Sequence, residues 1–405
     1  MNVTQPINPP VASARSARFV APMFHRLLDR IDAGLSSGGI EARLPDGTHR
    51  LLGGRADGPV PIVVLHRWRA LVRLTTGGSV GWYEAWAAGD WSSPDPVPLF
   101  DLFMRNRLRL GDAARSGPVT RLAARGWRWL RRNHRQGSRR NVAAHYDLGN
   151  DFYREWLDPG LTYSSAMFAS PDQSLEEAQD AKLRAILDRT ATAPGDTILE
   201  IGCGWGSFAA LAAGQGRQVR AVTLSTEQKA VVDAQALPGV AVSLTDYRDI
   251  DGQYDAIASI EMVEAVGQRY WPAYLDAVAR ALKPGGHAAI QYIAIADDVF
   301  AAYADSVDFI QRYVFPGGML LSRSRFHALA EARGLAWTDE VSFPLDYAET
   351  LRRWRARFDA AVAERRLPAR LDARFVAMWR YYLQYCEGGF RGGGIDVAQV
   401  TLVKR

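Results

Sequence analysis

The stretch Thr197-Ile198-Leu199-Glu200-Ile201-Gly202-Cys203-Gly204-Trp205-Gly206 constrains this chain more than any other. A short apolar run ends in three glycines at alternate positions, and a helical pattern begins at Phe208. Glycine takes positive φ at no steric cost and lets a ligand come close to the backbone. The pattern predicts a strand that turns sharply into a helix and holds a ligand at its carboxyl end. The bland alternative is an ordinary strand–helix turn. The surrounding chain favours the ligand loop. Strands are expected at 197–201, 219–224, 240–244, 256–260 and 288–293, and helices at 176–189, from 208, at 226–237 and at 273–282. This alternation predicts one α/β domain over 141–405, built on a parallel sheet with helices on both faces.

The spacing Glu-x-Gly-x-Gly-x-Gly resembles the cofactor loop of the Rossmann-like, class I S-adenosylmethionine-dependent methyltransferases. The resemblance implies that Gly202, Gly204 and Gly206, with Trp205, cradle the methionine part of S-adenosylmethionine, while Glu200 orders the loop or meets the ligand's amine. Tyr254-Asp255-Ala256-Ile257-Ala258-Ser259 looks like the fourth strand of these enzymes, and Leu282-Lys283-Pro284-Gly285-Gly286 like the loop before the fifth. Most of them end the second strand with an acid that binds the ribose. Here the place reads Val222-Thr223-Leu224-Ser225-Thr226-Glu227-Gln228, so Thr223, Ser225 and Gln228 become the expected ribose partners, through hydroxyls and an amide. Tyr163, Ser164 and Asp246 complete the expected cofactor site.

That replacement belongs to a narrower resemblance. The segments His145-Tyr146-Asp147-Leu148-Gly149-Asn150-Asp151-Phe152, Leu157-Asp158-Pro159 and Thr162-Tyr163-Ser164-Ser165-Ala166 carry it first. Leu175-Glu176-Glu177-Ala178-Gln179, Arg312-Tyr313-Val314-Phe315-Pro316-Gly317-Gly318 and Cys386-Glu387-Gly388-Gly389-Phe390-Arg391 continue it. Together these resemble the cyclopropane-fatty-acyl-phospholipid synthases and mycolic acid cyclopropane synthases over about 140–400. The resemblance implies methyl transfer from S-adenosylmethionine to the cis double bond of an unsaturated acyl chain in a membrane phospholipid. A carbocation forms, a base removes a proton, and a cyclopropane closes. A methylene or methyl-branched product, from a different deprotonation, is the alternative. Aromatic faces stabilise such a cation. Tyr292, Tyr303, Phe309, Tyr313, Phe315, Tyr347, Trp354, Phe358, Tyr381 and Tyr382 could as a group line an acyl tunnel, although singly most read as core.

In the resembled family the base is a bound bicarbonate held by Cys, Glu, His, an Ile backbone and Tyr. By position, Glu264 matches the glutamate, Ile293 the isoleucine and Tyr347 the tyrosine. Ser165 replaces the usual Cys, Gln291 the usual His, and Ala265 a common His beside the glutamate. Ser and Gln still donate hydrogen bonds to an anion. Cys386 matches a cysteine often marked as active, although a thiolate is not required by the chemistry and a wall or positioning role is expected.

Outside this domain the chain reads as a loose lead-in over 1–20 and a smaller N-terminal α+β lipid-binding domain over 21–115. Strands are expected there at 40–44, 50–53, 60–65 and 71–75, the last ended by Gly77-Gly78, with a helix at 101–110. Residues 116–140 hold eight arginines between Arg121 and Arg140 and no acid. Arg121, Arg125, Arg128, Arg132 and Arg135 form one helical stripe, with Trp127 and Trp129 nearby. An anionic membrane surface suits that stripe, and so does the role of a linker helix. A nucleic-acid contact is a weaker fit. The net charge of +5 from 49 basic and 44 acidic residues is too small to decide. Only four lysines occur, Lys182, Lys229, Lys283 and Lys404, so the arginines alone do not signal phosphate recognition.

Cys203 and Cys386 make neither a disulfide framework nor a zinc cluster. No apolar run is long enough for a signal segment or a membrane span. The expectation is a cytoplasmic enzyme, peripheral at the inner face of the membrane, with no metal, no nucleic-acid partner and room for a homodimer. Two rivals are a non-catalytic lipid carrier, disfavoured by the intact glycine loop, and a methyltransferase with a polar substrate, disfavoured by the aromatic C-terminal third.

Overall fold

The computed structural model describes residues 14–111, 133–135, 137–138 and 148–405. Most of the arginine stripe therefore lies outside the described residues. The described parts fall into two compact units, neither continuous in sequence. One is Met1–Trp127 with Ala301–Arg312 and Asp372–Gly394; the other is Arg128–Phe300 with Tyr313–Leu371 and Ile395–Arg405. The sequence reading placed all of 141–405 in one domain, whereas 301–312 and 372–394 cluster with the N-terminal residues.

The described part of the first unit opens with a helix, Ala14–Gly34, which starts inside the stretch 1–20 expected as a loose lead-in. Strands β1 (Gly39–Arg43), β2 (His49–Gly53), β3 (Ile62–Leu65) and β4 (Trp91–Ser92) form a sheet in the order β2-β1-β3-β4. The strand expected at 71–75 is wrong. Leu71 and Leu74 are buried at a spacing of three, on one face of a helix that runs Arg69–Ala87. Gly77-Gly78, read as a strand stop, is a kink inside it, with Gly78 at φ 58°. Asp90, fully buried, accepts hydrogen bonds from Arg67 at 3.2 Å, Arg69 at 2.9 Å and Arg73 at 3.1 Å, which satisfies its charge. The helix expected at 101–110 is split into Val97–Arg105 and Arg107–Leu110. Helix Ala373–Arg391 packs on the former so closely that a Cβ at Gly388 would lie 2.5 Å from the Cβ of Phe100.

The second unit is the α/β body. Strands β5 (Thr197–Ile201), β6 (Gln218–Thr223), β7 (Val240–Leu244), β8 (Tyr254–Ile260), β9 (Leu282–Ile295), β10 (Leu335–Ser342) and β11 (Ile395–Lys404) form a sheet in the order β10-β11-β9-β8-β5-β6-β7. β5 to β9 are parallel; β11 runs antiparallel between β9 and β10. The chain leaves β5 on one side for β6 and β7, then returns to its other side for β8. The carboxyl end of β5 is therefore a topological switch point, where α/β sheets bind ligands. Ile198 and Leu199 are fully buried in β5, and Ala209 and Ala212 of helix Ser207–Gly214 pack with Ala221, Ala256 and Ala258 in the core beneath. Helix Leu175–Arg189 starts with a capping box: Ser174 Oγ accepts from the Glu177 amide at 3.2 Å, and Glu177 accepts from the Ser174 amide at 2.9 Å. β9 exceeds its expected length because it pairs on both sides, and its end carries Gln291 and Ile293.

Candidate active site

A cavity opens at the carboxyl ends of β5, β6 and β8, and the glycine loop forms its floor. Gly202, Gly204 and Gly206 have φ of 86°, 52° and 91°, values that L side chains resist. A Cβ on Gly202 would lie 2.6 Å from Met262 Cγ, whereas one on Gly204 would enter open space. Glu200 lines the cavity, is buried, and its Oε2 has no hydrogen-bond partner among the described residues. Burial raises its pKa to about 8, against the pull of Lys182. Lys182 is wholly buried, lines the same cavity and donates to Ser164 Oγ at 2.5 Å. Burial pushes its pKa down, opposed by the charges of Glu261, Asp158 and Glu200. An unpartnered buried carboxylate oxygen beside a positive-φ glycine cradle fits a ligand that carries an ammonium group.

The other expected cofactor residues divide. Tyr163, Ser164, Trp205, Thr223 and Gln228 line the cavity. Thr223 Oγ1 donates to Gln228 Oε1 at 2.8 Å, which fixes the amide's orientation. Ser225 is not among the lining residues; its hydroxyl caps helix Thr226–Ala234 by accepting from the Gln228 amide at 3.2 Å. Asp246 is also absent from the lining, although Thr245 and Tyr247 beside it are present. Arg248 binds both of its oxygens, at 2.7 and 2.6 Å. Burial opposes ionisation of Asp246, but the Arg248 hydrogen bonds and charge hold its pKa below the ordinary value.

The expected anion site is rearranged around a residue that sequence reasoning missed. Glu261 lines the cavity, and its Oε1 accepts from the Ser165 amide and from Gln291 Nε2, both at 2.8 Å. Its Oε2 accepts from the Tyr347 hydroxyl at 2.7 Å. Burial raises its pKa; Tyr347, Ser165, Lys182 and Gln291 work against that rise. Glu261 sits at φ 49°, a conformation that favours glycine, and its own amide is tied to the Gln291 carbonyl at 2.8 Å. Glu264 does not join Ser165, Gln291 and Tyr347. It accepts instead from the Ile293 amide, and its Oε2 is buried without a hydrogen-bond partner. Burial first, and the charge of Glu261 second, raise its pKa to about 8. Ser165 Oγ is spent on the Ala166 carbonyl at 2.9 Å, and Gln291 Oε1 on Gln399 at 3.0 Å. The donors assigned to bicarbonate thus already serve two carboxylates of the chain. These residues do not fit a second anion.

The signals for the missed pair were slight. Lys182 is one of only four lysines, and Glu261 is an acid at the end of an apolar strand. Cys386 belongs to the first unit and is not among the cavity's lining residues. Burial and nearby Asp308 push its thiol pKa up, which disfavours a thiolate. The aromatic set also divides. Tyr303, Phe309, Tyr381 and Tyr382 fall in the first unit. Tyr292 faces Phe326 and Trp337, and its hydroxyl is bound by Glu340. Of the remaining rings Tyr163 lines the cavity, and behind it lie Trp156 at 5.5 Å, Trp354 at 5.4 Å and Phe315 at 6.2 Å between centroids. Arg135, the stripe residue that is described, forms an ion pair with Asp249.

The sequence profile of the mycolic acid cyclopropane synthetase family matches residues 133–400. The chain belongs to that family. It is 38% identical over 378 residues to a tuberculostearic acid methyltransferase of Mycobacterium tuberculosis, covering 87% of this chain and 85% of that protein. It is 37% identical over 261 residues to the cyclopropane-fatty-acyl-phospholipid synthase of Escherichia coli, covering 64% of this chain and 66% of the relative. Among solved structures, a mycolic acid cyclopropane synthase complexed with SAH and CTAB superposes with a TM-score of 0.61 at 32% identity, over 66% of this chain and 98% of that one. The α/β body therefore has the class I fold, and the protein is an S-adenosylmethionine-dependent methyltransferase of a lipid-modifying family.

Proposed function

We propose that this enzyme methylates the cis double bond of an unsaturated acyl chain in a membrane phospholipid. One observation carries the reading: the glycine loop and the part-buried carboxylate Glu261 line a single cavity. S-adenosylmethionine, when bound, supplies an electrophilic methyl group on sulfur. Glu200 Oε2 would receive its ammonium, the backbone at Gly202 and Gly204 would hold the methionine part, and Thr223 and Gln228 would meet the ribose. Tyr163 lines the cavity and could offer its ring face to the positive charge that develops on the acyl chain, with the buried rings of Trp156 and Trp354 packed behind it. Lys182 keeps the buried acids from being wholly uncompensated.

The product favoured is the methyl- or methylene-branched chain, not the cyclopropane. Supporting this, the relative aligned over 87% of this chain is a tuberculostearic acid methyltransferase. One departure from the resembled cyclopropane synthases, Gln291, hydrogen-bonds Glu261 through its side chain, and Ser165 does so through its backbone amide. Ring closure is the second reading, favoured by the 37% identity to the cyclopropane synthase. The two products are isomers that differ in whether an alkene survives. Mass spectrometry of host phospholipids before and after mild hydrogenation separates them: the branched product takes up hydrogen and the cyclopropane does not. Absence of any added methylene in the lipids would reject both.

Among the described residues no helix is long and apolar enough to cross a membrane. Substrate access is proposed to occur at the cytoplasmic face of an anionic membrane, with the arginines between Arg121 and Arg132 as the contact. The ion pair to Asp249 removes Arg135 from that set.

A further inference from the structure

We infer that Glu261 is the catalytic base of this enzyme and that its carboxylate takes the place of a bound bicarbonate. The inference rests on the acyl-methylation reading above. Three donors converge on the carboxylate: the Ser165 amide, Gln291 Nε2 and the Tyr347 hydroxyl, at 2.8, 2.8 and 2.7 Å. Those three residues are among the ones the family resemblance assigns to an exogenous anion. A carboxylate offers about four lone-pair sites. Two donors fill Oε1, one occupies Oε2, and Oε2 keeps a site for an incoming proton. The position φ 49° supports the same conclusion, since an acid is held there against backbone preference, in the wall of the cofactor cavity. Burial raises the basicity of the carboxylate, which suits proton abstraction, while the nearby Lys182 charge favours the ionised form.

The step balances without a co-reactant. The alkene's π pair bonds to the methyl carbon and the C–S pair stays on sulfur, leaving a cation on the adjacent acyl carbon. Glu261 removes a proton either from a carbon next to the cation, whose C–H electron pair becomes a new double bond, or from the transferred methyl group, whose C–H electron pair closes the ring; in both cases Glu261 becomes a neutral acid. The proton returns to water as product leaves. Glu264 is engaged by the Ile293 amide instead, and burial together with the Glu261 charge raises its pKa and favours its neutral form.

The test uses the full-length enzyme with vesicles of unsaturated phospholipid, in buffer stripped of carbon dioxide and then with bicarbonate restored. Wild type should turn over at the same rate in both, and carbon-13 bicarbonate should show no saturable binding to it by NMR. Glu261→Gln should lower turnover by about 100-fold or more, with S-adenosylhomocysteine affinity and melting temperature unchanged. Glu261→Gly relieves the positive φ and empties the donor set; it should gain bicarbonate binding and recover part of its lost turnover when bicarbonate is added. Wild-type activity that collapses without bicarbonate, saturable bicarbonate binding to wild type, or a Glu261→Gln enzyme as fast as wild type would each overturn the proposal. If wild type methylates no unsaturated lipid, the substrate reading fails separately, and the bicarbonate titrations still decide whether Glu261 fills the anion site.

Discussion

Alanine at Gly202 and at Gly204 should separate the stability of the loop from its binding function. Both positions have positive φ, 86° and 52°, so either substitution incurs a backbone cost of roughly 1 kcal/mol. They differ in what the new methyl meets. At Gly202 it would sit 2.6 Å from Met262 Cγ, so Met262 must move, and overpacking adds about 1–3 kcal/mol. At Gly204 it meets nothing, so the apoprotein should lose only the backbone term. In a unit of this size 1 kcal/mol moves a melting temperature by about 2–4 °C. Gly204→Ala should therefore melt only slightly below wild type, and Gly202→Ala clearly lower. Ligand affinity should rank differently. The space open at Gly204 is where the methionine part is proposed to lie, so Gly204→Ala should weaken S-adenosylhomocysteine binding by about 10–100-fold, or 1.4–2.8 kcal/mol. Differential scanning fluorimetry of the apoproteins and calorimetric titration with S-adenosylhomocysteine measure the two effects. Wild-type affinity in Gly204→Ala would refute the placement of the ligand. Equal melting of the two variants would refute the argument from the Met262 contact.

Tyr347→Phe deletes the donor to Glu261 Oε2, a bond to a charged group worth about 1.5–3 kcal/mol, so the acid limb of the pH–rate profile should move up by roughly one to two units; a limb that stays put would show that Tyr347 does not hold the base. Glu264 has a folded pKa of about 8, above its ordinary 4.5, so the stability tied to its neutral form is present below the ordinary value and is lost as pH rises through 8. Glu264→Gln should then flatten the fall in the urea midpoint over that window, and a slope equal to wild type would contradict the burial argument. Changing Arg125, Arg128 and Arg132 together to Gln should weaken binding to anionic vesicles by roughly two decades at low salt, since each basic residue contributes about 1 kcal/mol at such a surface. A folded triple variant that co-sediments like wild type would move the membrane contact elsewhere.

How far the sequence could be read depended on whether a residue's role is set locally. β5 is legible to the residue because Ile198, Leu199 and Ile201 make a buried apolar run and the glycines mark its end. Residues 71–75 were misread because five residues cannot separate a period of 2 from one of 3.6, and a Gly-Gly pair marks a helix kink as readily as a strand end. The return of 301–312 and 372–394 to the first unit is a matter of long-range contact, which no local pattern encodes.

The anion site shows the same limit more sharply. Ser165, Gln291 and Tyr347 were named from the sequence, and the structure does bring them together. What they surround was not legible, because the candidate acid was chosen by motif position, and that choice fell on Glu264. Three residues earlier, Glu261 looks like the end of an ordinary strand; only its φ of 49° turns the side chain's attachment to a glycine-like geometry. Once a carboxylate occupies that place, a cysteine and a histidine are no longer needed to hold a mobile anion. An amide hydrogen from the Ser165 backbone and a neutral Gln291 amide suffice to orient a charge that the chain itself supplies. On this argument the replacements at Ser165 and Gln291 are consequences of Glu261 rather than erosion of the site, and restoring Cys and His while Glu261 remains should not increase turnover. A gain in rate from that double replacement, measured with and without bicarbonate, would mean that the site still depends on an anion from solution.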